Sequence, residues 1–197
     1  MKTSSIVWLL LALAGAVAGG CNRTVYFDDA PTVISAPASG DWILIEPGVD
    51  ARRFAETIGR SRTDGDNYFL GEGQCPAMLL TNRLAGRLSG YGIPVGLGAS
   101  AGHAPAYRLE TRLLDIRALS ESLGLWYAFK GRVKYSLRLV RAEDGAVLLD
   151  EDIQGAKRST GPYAMSNRKI RQVIEEAMSE SFATAVPMIR SALNKER

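Results

Sequence analysis

The stretch Phe129-Lys130-Gly131-Arg132-Val133-Lys134-Tyr135-Ser136-Leu137-Arg138-Leu139 decides the fold. Its odd positions are apolar or small, and its even positions are Lys, Arg or Ser. Successive side chains of a strand point to opposite faces, so this pattern predicts a long strand with one covered and one wet face. Glu143-Asp144-Gly145 follows, then a second strand from about Ala146 to Gln154. A two-residue turn would set Leu139 against Asp150, which mixes faces. A three-residue turn sets Arg138 against Asp150, Leu139 against Leu149 and Tyr135 against Ile153, and it puts Gly145 where a left-handed residue is needed. The longer turn matches apolar with apolar and charge with counter-charge, so it is the expected one.

Upstream, Tyr107, Leu109, Thr111 and Leu113 alternate with Arg108, Glu110 and Arg112, which predicts a strand over 107–116. Trp42-Ile43-Leu44-Ile45, between Gly40 and Pro47, reads as a short buried strand. Two segments have helical spacing. Ala77, Leu80, Leu84, Ala85 and Leu88 share a face over 77–89, with Pro76 to open the helix and Gly90 to close it. Ile170, Val173, Ile174, Ala177, Met178 and Phe182 trace an apolar stripe over 167–186, after Ser166-Asn167 as caps and before Pro187 as a stop or kink. The expected fold class is α+β: a two-layer sandwich, with a mostly antiparallel sheet of about four strands packed against two helices. Residues 48–76, with five glycines and no clear periodicity, read as a long loop and a candidate contact surface.

The first twenty residues stand apart. Lys2 precedes an apolar run from Ile6 to Ala18, too short to span a bilayer comfortably and suited to a secretory signal. Val17-Ala18-Gly19-Gly20-Cys21 resembles the lipobox of bacterial lipoproteins, in which small residues precede a cysteine that carries diacylglycerol and a further acyl chain such as palmitate. The resemblance implies lipidation at Cys21, a signal peptide over 1–20, and outer-membrane sorting, since Asn22 rather than Asp follows the cysteine. Ordinary cleavage after Ala18 would instead leave a soluble periplasmic binding module. Residues 21–40, rich in Ala, Pro, Ser and Thr, read as a tether to a single periplasmic domain over 41–197. Cys75 is left without a partner, and burial is its expected state.

The 197 residues carry 24 basic and 21 acidic side chains, and loss of Lys2 with the signal brings the mature chain close to neutral. A strong bulk attraction for nucleic acid is therefore not expected, and an envelope location excludes it further. His103, the single histidine, lies in a Gly/Ala-rich loop beside Ser100 and has no catalytic motif around it. No HExxH or CxxC spacing offers a metal site, and Gly96 to Gly102 lacks the Lys and the following helix of a phosphate loop. The chain is expected to be no enzyme and to need no cofactor. One electrostatic feature remains: Arg108, Arg112, Lys130, Arg132, Lys134 and Arg138 project from one sheet face, offset by Glu110, Asp150 and Asp152. That face suits an anionic partner such as lipid headgroups or an acidic protein surface.

The order of elements is similar to that of the YajG-type bacterial lipoprotein family, and more distantly to the auxiliary lipoproteins of ABC-type lipid transporters. The similarity covers roughly residues 41–193. It rests on Asp50-Ala51-Arg52, Ile58-Gly59, the Leu-spaced helix ending in Gly90-Tyr91-x-Ile93, and the C-terminal amphipathic helix. It implies a two-layer α/β domain on the periplasmic side of the outer membrane, without catalytic residues. The functional expectation is a lipid-anchored accessory factor in cell-envelope assembly or transport. The alternative is a lipid-binding subunit that receives amphiphiles in an apolar groove between sheet and helices.

Overall fold

The longest strands form where the alternation is longest. The computed structural model describes residues 22–28, 40–53, 57–97, 104–162, 164 and 166–196. Strands β7 (Tyr107–Leu123), β8 (Trp126–Arg141) and β9 (Val147–Gly161) form an antiparallel meander. The pairs Arg138–Asp150, Leu139–Leu149 and Tyr135–Ile153 are those the charge and apolar matching selects. The turn between them is one residue longer than expected. Arg141 and Ala146 close a loop over 142–145, Gly145 sits at φ 75°, and a register shift beside Leu139 restores the pairing.

The expectation of about four mostly antiparallel strands fails. Among the described residues the sheet has nine strands and is mixed. Three short strands follow one another along the free edge of β7, all parallel to it: β2 (Ile43–Ile45), β3 (Val49–Asp50) and β4 (Thr57–Ser61). Beyond β4 lies β5 (Asn67–Leu70), antiparallel to it, and then β1 (Asn22–Val25), parallel to β5. On the other side β6 (Val95–Leu97) pairs with β2. Residues 48–76 thus contribute three strands to the sheet, β3, β4 and β5, and are not one long loop. Gly59 explains part of the misreading: a Cβ there would run into the Ala118 carbonyl, so this glycine permits close approach to β7 and does not mark a turn. The segment expected to be a tether also begins as structure, since Asn22–Val25 pairs with β5 and both Val25 and Phe27 are buried.

Helices α1 (Pro76–Gly90) and α2 (Ser166–Asn194) cover one face of the sheet. Leu80, Leu84 and Leu88 of α1 and Ile170, Val173, Ile174, Ala177, Met178 and Phe182 of α2 are buried, so both stripes are core. Gly131 and Gly155 let α2 lie directly on β8 and β9: a Cβ would meet the Val173 carbonyl at Gly131 and the Ala177 carbonyl at Gly155. The left-handed residue after α1 is Gly92, φ 72°, not Gly90. Pro187 does not end α2, which continues to Asn194. Pro187 and Ala183, whose carbonyl it leaves without an intrahelical donor, are both exposed to water. Cys75 is exposed at the N-terminal end of α1, against the expectation of burial.

Candidate functional site on the outer sheet face

The outward face of β7–β9 is set by one irregularity. Up to Leu113 the odd residues of β7 face the helices. The register shifts between Leu113 and Asp115, and from Ile116 on the even residues do so. This bulge at Leu114 turns Asp115, Arg117, Leu119 and Glu121 to the outer face. Two adjacent leucines, Leu113-Leu114, interrupt the alternation in the sequence and carry the signal for it.

Five of the six cations expected on this face have carboxylate partners. Arg108 meets Glu46 at 3.8 Å, Lys130 meets Glu121 at 3.4 Å, Lys134 meets Asp152 at 2.6 Å and Arg138 meets Glu110 at 3.7 Å, while Arg132 pairs with Asp115. Arg112 has no ion-pair partner among the described residues. Glu46, Asp115 and Glu121 were not among the expected counter-charges. Asp115 was out of phase without the bulge, and Glu46 comes from the loop after β2.

The excess of positive charge lies lower on the face, around Arg132 and further arginines that the sequence reading did not select. A groove of about 670 Å³ is lined by Arg52, Arg53, Arg60, Arg62, Arg117 and Arg132, with Asp115 as its acidic member. Asp115 serves both Arg132 and Arg117, the latter at 3.6 Å. Arg117 and Arg132 face each other across β7 and β8, a repulsion that Asp115 offsets. Arg60, Arg62 and Arg158 are exposed and have no ion-pair partner among the described residues. An adjoining trough of about 520 Å³ adds Lys130, Lys157 and Arg158 around Leu119 and Ala156. Cationic walls with apolar residues between them can hold an anion that carries some apolar surface.

The Asp50-Ala51-Arg52 string is a local clamp. Arg52 gives Nε to Asp50 Oδ1 at 2.8 Å and Nη2 to Oδ2 at 2.7 Å, and Nη1 to the Thr57 carbonyl at 3.2 Å. These bonds from Arg52 hold the Asp50 carboxyl below its usual range. The Arg52 side chain is only 4% exposed, so the string is structural: it bridges from β3 towards β4.

Cys21 and His103 lie outside the described residues. Among the described residues no cluster of three His, Cys, Asp or Glu side chains could hold a metal, and no helix is long and apolar enough to cross a membrane.

No protein-family model matches the chain, and no curated protein matches its sequence. Solved structures do match its fold. A DUF330 protein from Xanthomonas campestris superposes with a TM-score of 0.54 at 14% identity, covering 91% of this chain and 100% of its own. An uncharacterized protein of known crystal structure gives 0.51 at 10% identity, over 85% and 99% of the two chains. Lipoprotein GNA1162 from Neisseria meningitidis matches more loosely, with a TM-score of 0.36 at 14% identity over 70% and 97%. Nothing among these singles out the YajG type. At such identities the likeness is one of fold: this chain folds as the Xanthomonas DUF330 protein does.

Proposed function

We propose that this chain is an outer-membrane lipoprotein, anchored through Cys21 on the periplasmic side, that works in cell-envelope assembly or transport by holding an anionic partner and not by catalysis. The observation that carries this reading is the groove beside β4, where Arg53, Arg60, Arg62, Arg117 and Arg132 gather around the single carboxylate Asp115. A hollow with this excess of guanidinium groups over carboxylates, on a rigid sheet, attracts and orients anions. The signal-like N-terminus with Cys21 supports the anchor.

A second reading, the lipid-binding subunit of an ABC-type transport system, draws on the trough around Leu119 and Ala156. An amphiphile would lie there on the outer face, because the space between sheet and helices is filled by Val173, Ile174, Ala177, Met178 and Phe182. Radiolabelled palmitate should enter the full chain and not a Cys21→Ala variant. Crosslinking in intact cells should give adducts that the combined Arg60→Glu, Arg62→Glu and Arg158→Glu changes abolish. Adducts that survive those changes would overturn the partner-holding role. Lipid extracted with the purified wild-type protein and lost in the same variant would favour the second reading. A His103→Ala strain should keep a normal envelope; a defect there would argue for chemistry.

A further inference from the structure

Exposed apolar side chains among the described residues are mostly scattered singly, as on any protein surface. The turn joining β7 to β8 differs. Leu123 is 51% exposed, Leu125 93% and Trp126 56%, three large apolar groups within four residues. Gly124 takes φ 82°, which suits the first central position of a tight primed turn, and this leaves Leu125 at the apex. Leu123 and Trp126 face each other across the last rung, on the outer side of the sheet. The tip is braced: Thr63 accepts the Ser122 backbone N–H at 2.8 Å, and Asp64 accepts the Tyr127 hydroxyl at 3.2 Å.

Registers across the sheet relate this tip to the chain start. Strand β1 is parallel to β5, β5 antiparallel to β4, and β4 parallel to β7, so β1 runs opposite to β7. The N-terminal end of β1 therefore points the same way as the hairpin tip, and Cys21 is bonded to it. One rung crosses the whole sheet as Asn22, Asn67, Arg60, Leu119, Lys130 and Arg158. The rung lies four residues short of Leu123, about 13 Å along the strand.

We propose that the Leu123–Trp126 tip inserts into the interface of a phospholipid bilayer bearing anionic headgroups, with Arg60, Lys130 and Arg158 lying over the phosphates behind it. This rests on the anchored reading of Cys21. Tryptophan and leucine at an apex followed by a cationic row match the order acyl region, interface, phosphate. The several acyl chains at Cys21 supply the residence, and a second contact of this kind fixes the orientation of the body. Three side chains are too few for the roughly 800 Å² per partner of a stable protein interface, which argues against a second copy as the occupant.

Trp126 reports on this directly, because Trp42 is buried at 1% exposure and Trp8 belongs to the signal. The acylated full chain is reconstituted into phosphatidylethanolamine vesicles with phosphatidylglycerol, with and without brominated acyl chains. The expected result is a blue-shifted Trp126 emission quenched by the bromines, absent in Trp126→Phe and reduced in Leu125→Asp. Unquenched emission overturns the proposal. If flotation and palmitate label persist in that case, the anchor stands without the tip; if both are lost, the anchored reading falls too. A blue shift that depends on protein concentration without vesicles, and no quenching with them, overturns it in favour of self-association.

Discussion

The two ends of the long β7–β8 hairpin are built from the same alternation and behave as different surfaces. At the end near the 142–145 turn, Arg138 faces Glu110, Lys134 faces Asp152 and Arg108 reaches Glu46, so charge is balanced locally. At the other end Arg60, Arg62 and Arg158 stand without ion-pair partners among the described residues, and the apex is Leu125 beside Trp126. The difference teaches that periodicity assigns a side chain to a face, while bulges and neighbouring strands decide what it meets there. Asp115 is the pivot. Without the shift at Leu114 it would point at the helices together with Arg117, and Arg132 would lose its counter-charge.

The comparison breaks most severely if the shared platform is lost. Gly155→Val places a branched side chain against the Ala177 carbonyl and should destabilise the fold by about 3 kcal/mol or more, with both ends failing together in thermal unfolding. Next in size is a test between the ends. Changing Arg60, Arg62 and Arg158 to Gln should weaken binding to phosphatidylglycerol vesicles by roughly 100-fold, at about 1 kcal/mol for each cation near the surface. The matched change of Arg108, Lys134 and Arg138 should cost less than about threefold, since those residues lie well beyond a Debye length from the tip. Equal losses from the two sets would erase the distinction.

Smaller effects sharpen the platform itself. The Tyr135 hydroxyl is buried without a hydrogen-bond partner; its polar neighbour Ser181 donates to the Met178 carbonyl instead. Tyr135→Phe should therefore be neutral or stabilising by about 1 kcal/mol, and should change binding at neither end. Burial raises the Tyr135 pKa to about 12, so the neutral phenol favours the folded state at neutral pH. That contribution is lost as pH rises from 10 towards 12, and Tyr135→Phe should flatten alkaline unfolding in that range. The least effect is expected at Asp50. Its folded pKa is lowered by Arg52, so its contribution is complete above the ordinary value of 3.8 and is lost as pH falls below it. Asp50→Asn should remove that share of the acid dependence in a denaturation series.

The meander was legible because its information is local. Arg138 and Asp150, Tyr135 and Ile153, and Gly145 all lie within one hairpin, and each independently favours one register. The stripes of both helices were legible for the same reason. Of the short strands only β2 was legible, from the apolar run Trp42-Ile43-Leu44-Ile45; β1 and β3 to β6 were not, since each has five residues or fewer and owes its extended form to β7 or to another distant segment. The basic face was recognised in kind but misplaced. Arg60 and Arg62 fell in a segment read as loop, and Arg117 and Arg158 lay beyond the expected ends of their strands. Cys75 illustrates a composition-based expectation that local position defeats, because the residue before a Pro-initiated helix here faces solvent.

The first strand begins at Asn22, with a single peptide bond between the sheet and Cys21. A body acylated there has no leash. If Cys21 is acylated as proposed, the body can swivel about its lipids but cannot drift away from the bilayer that holds them. Splicing a flexible spacer of ten residues before Asn22 would test how much that confinement matters in the cell.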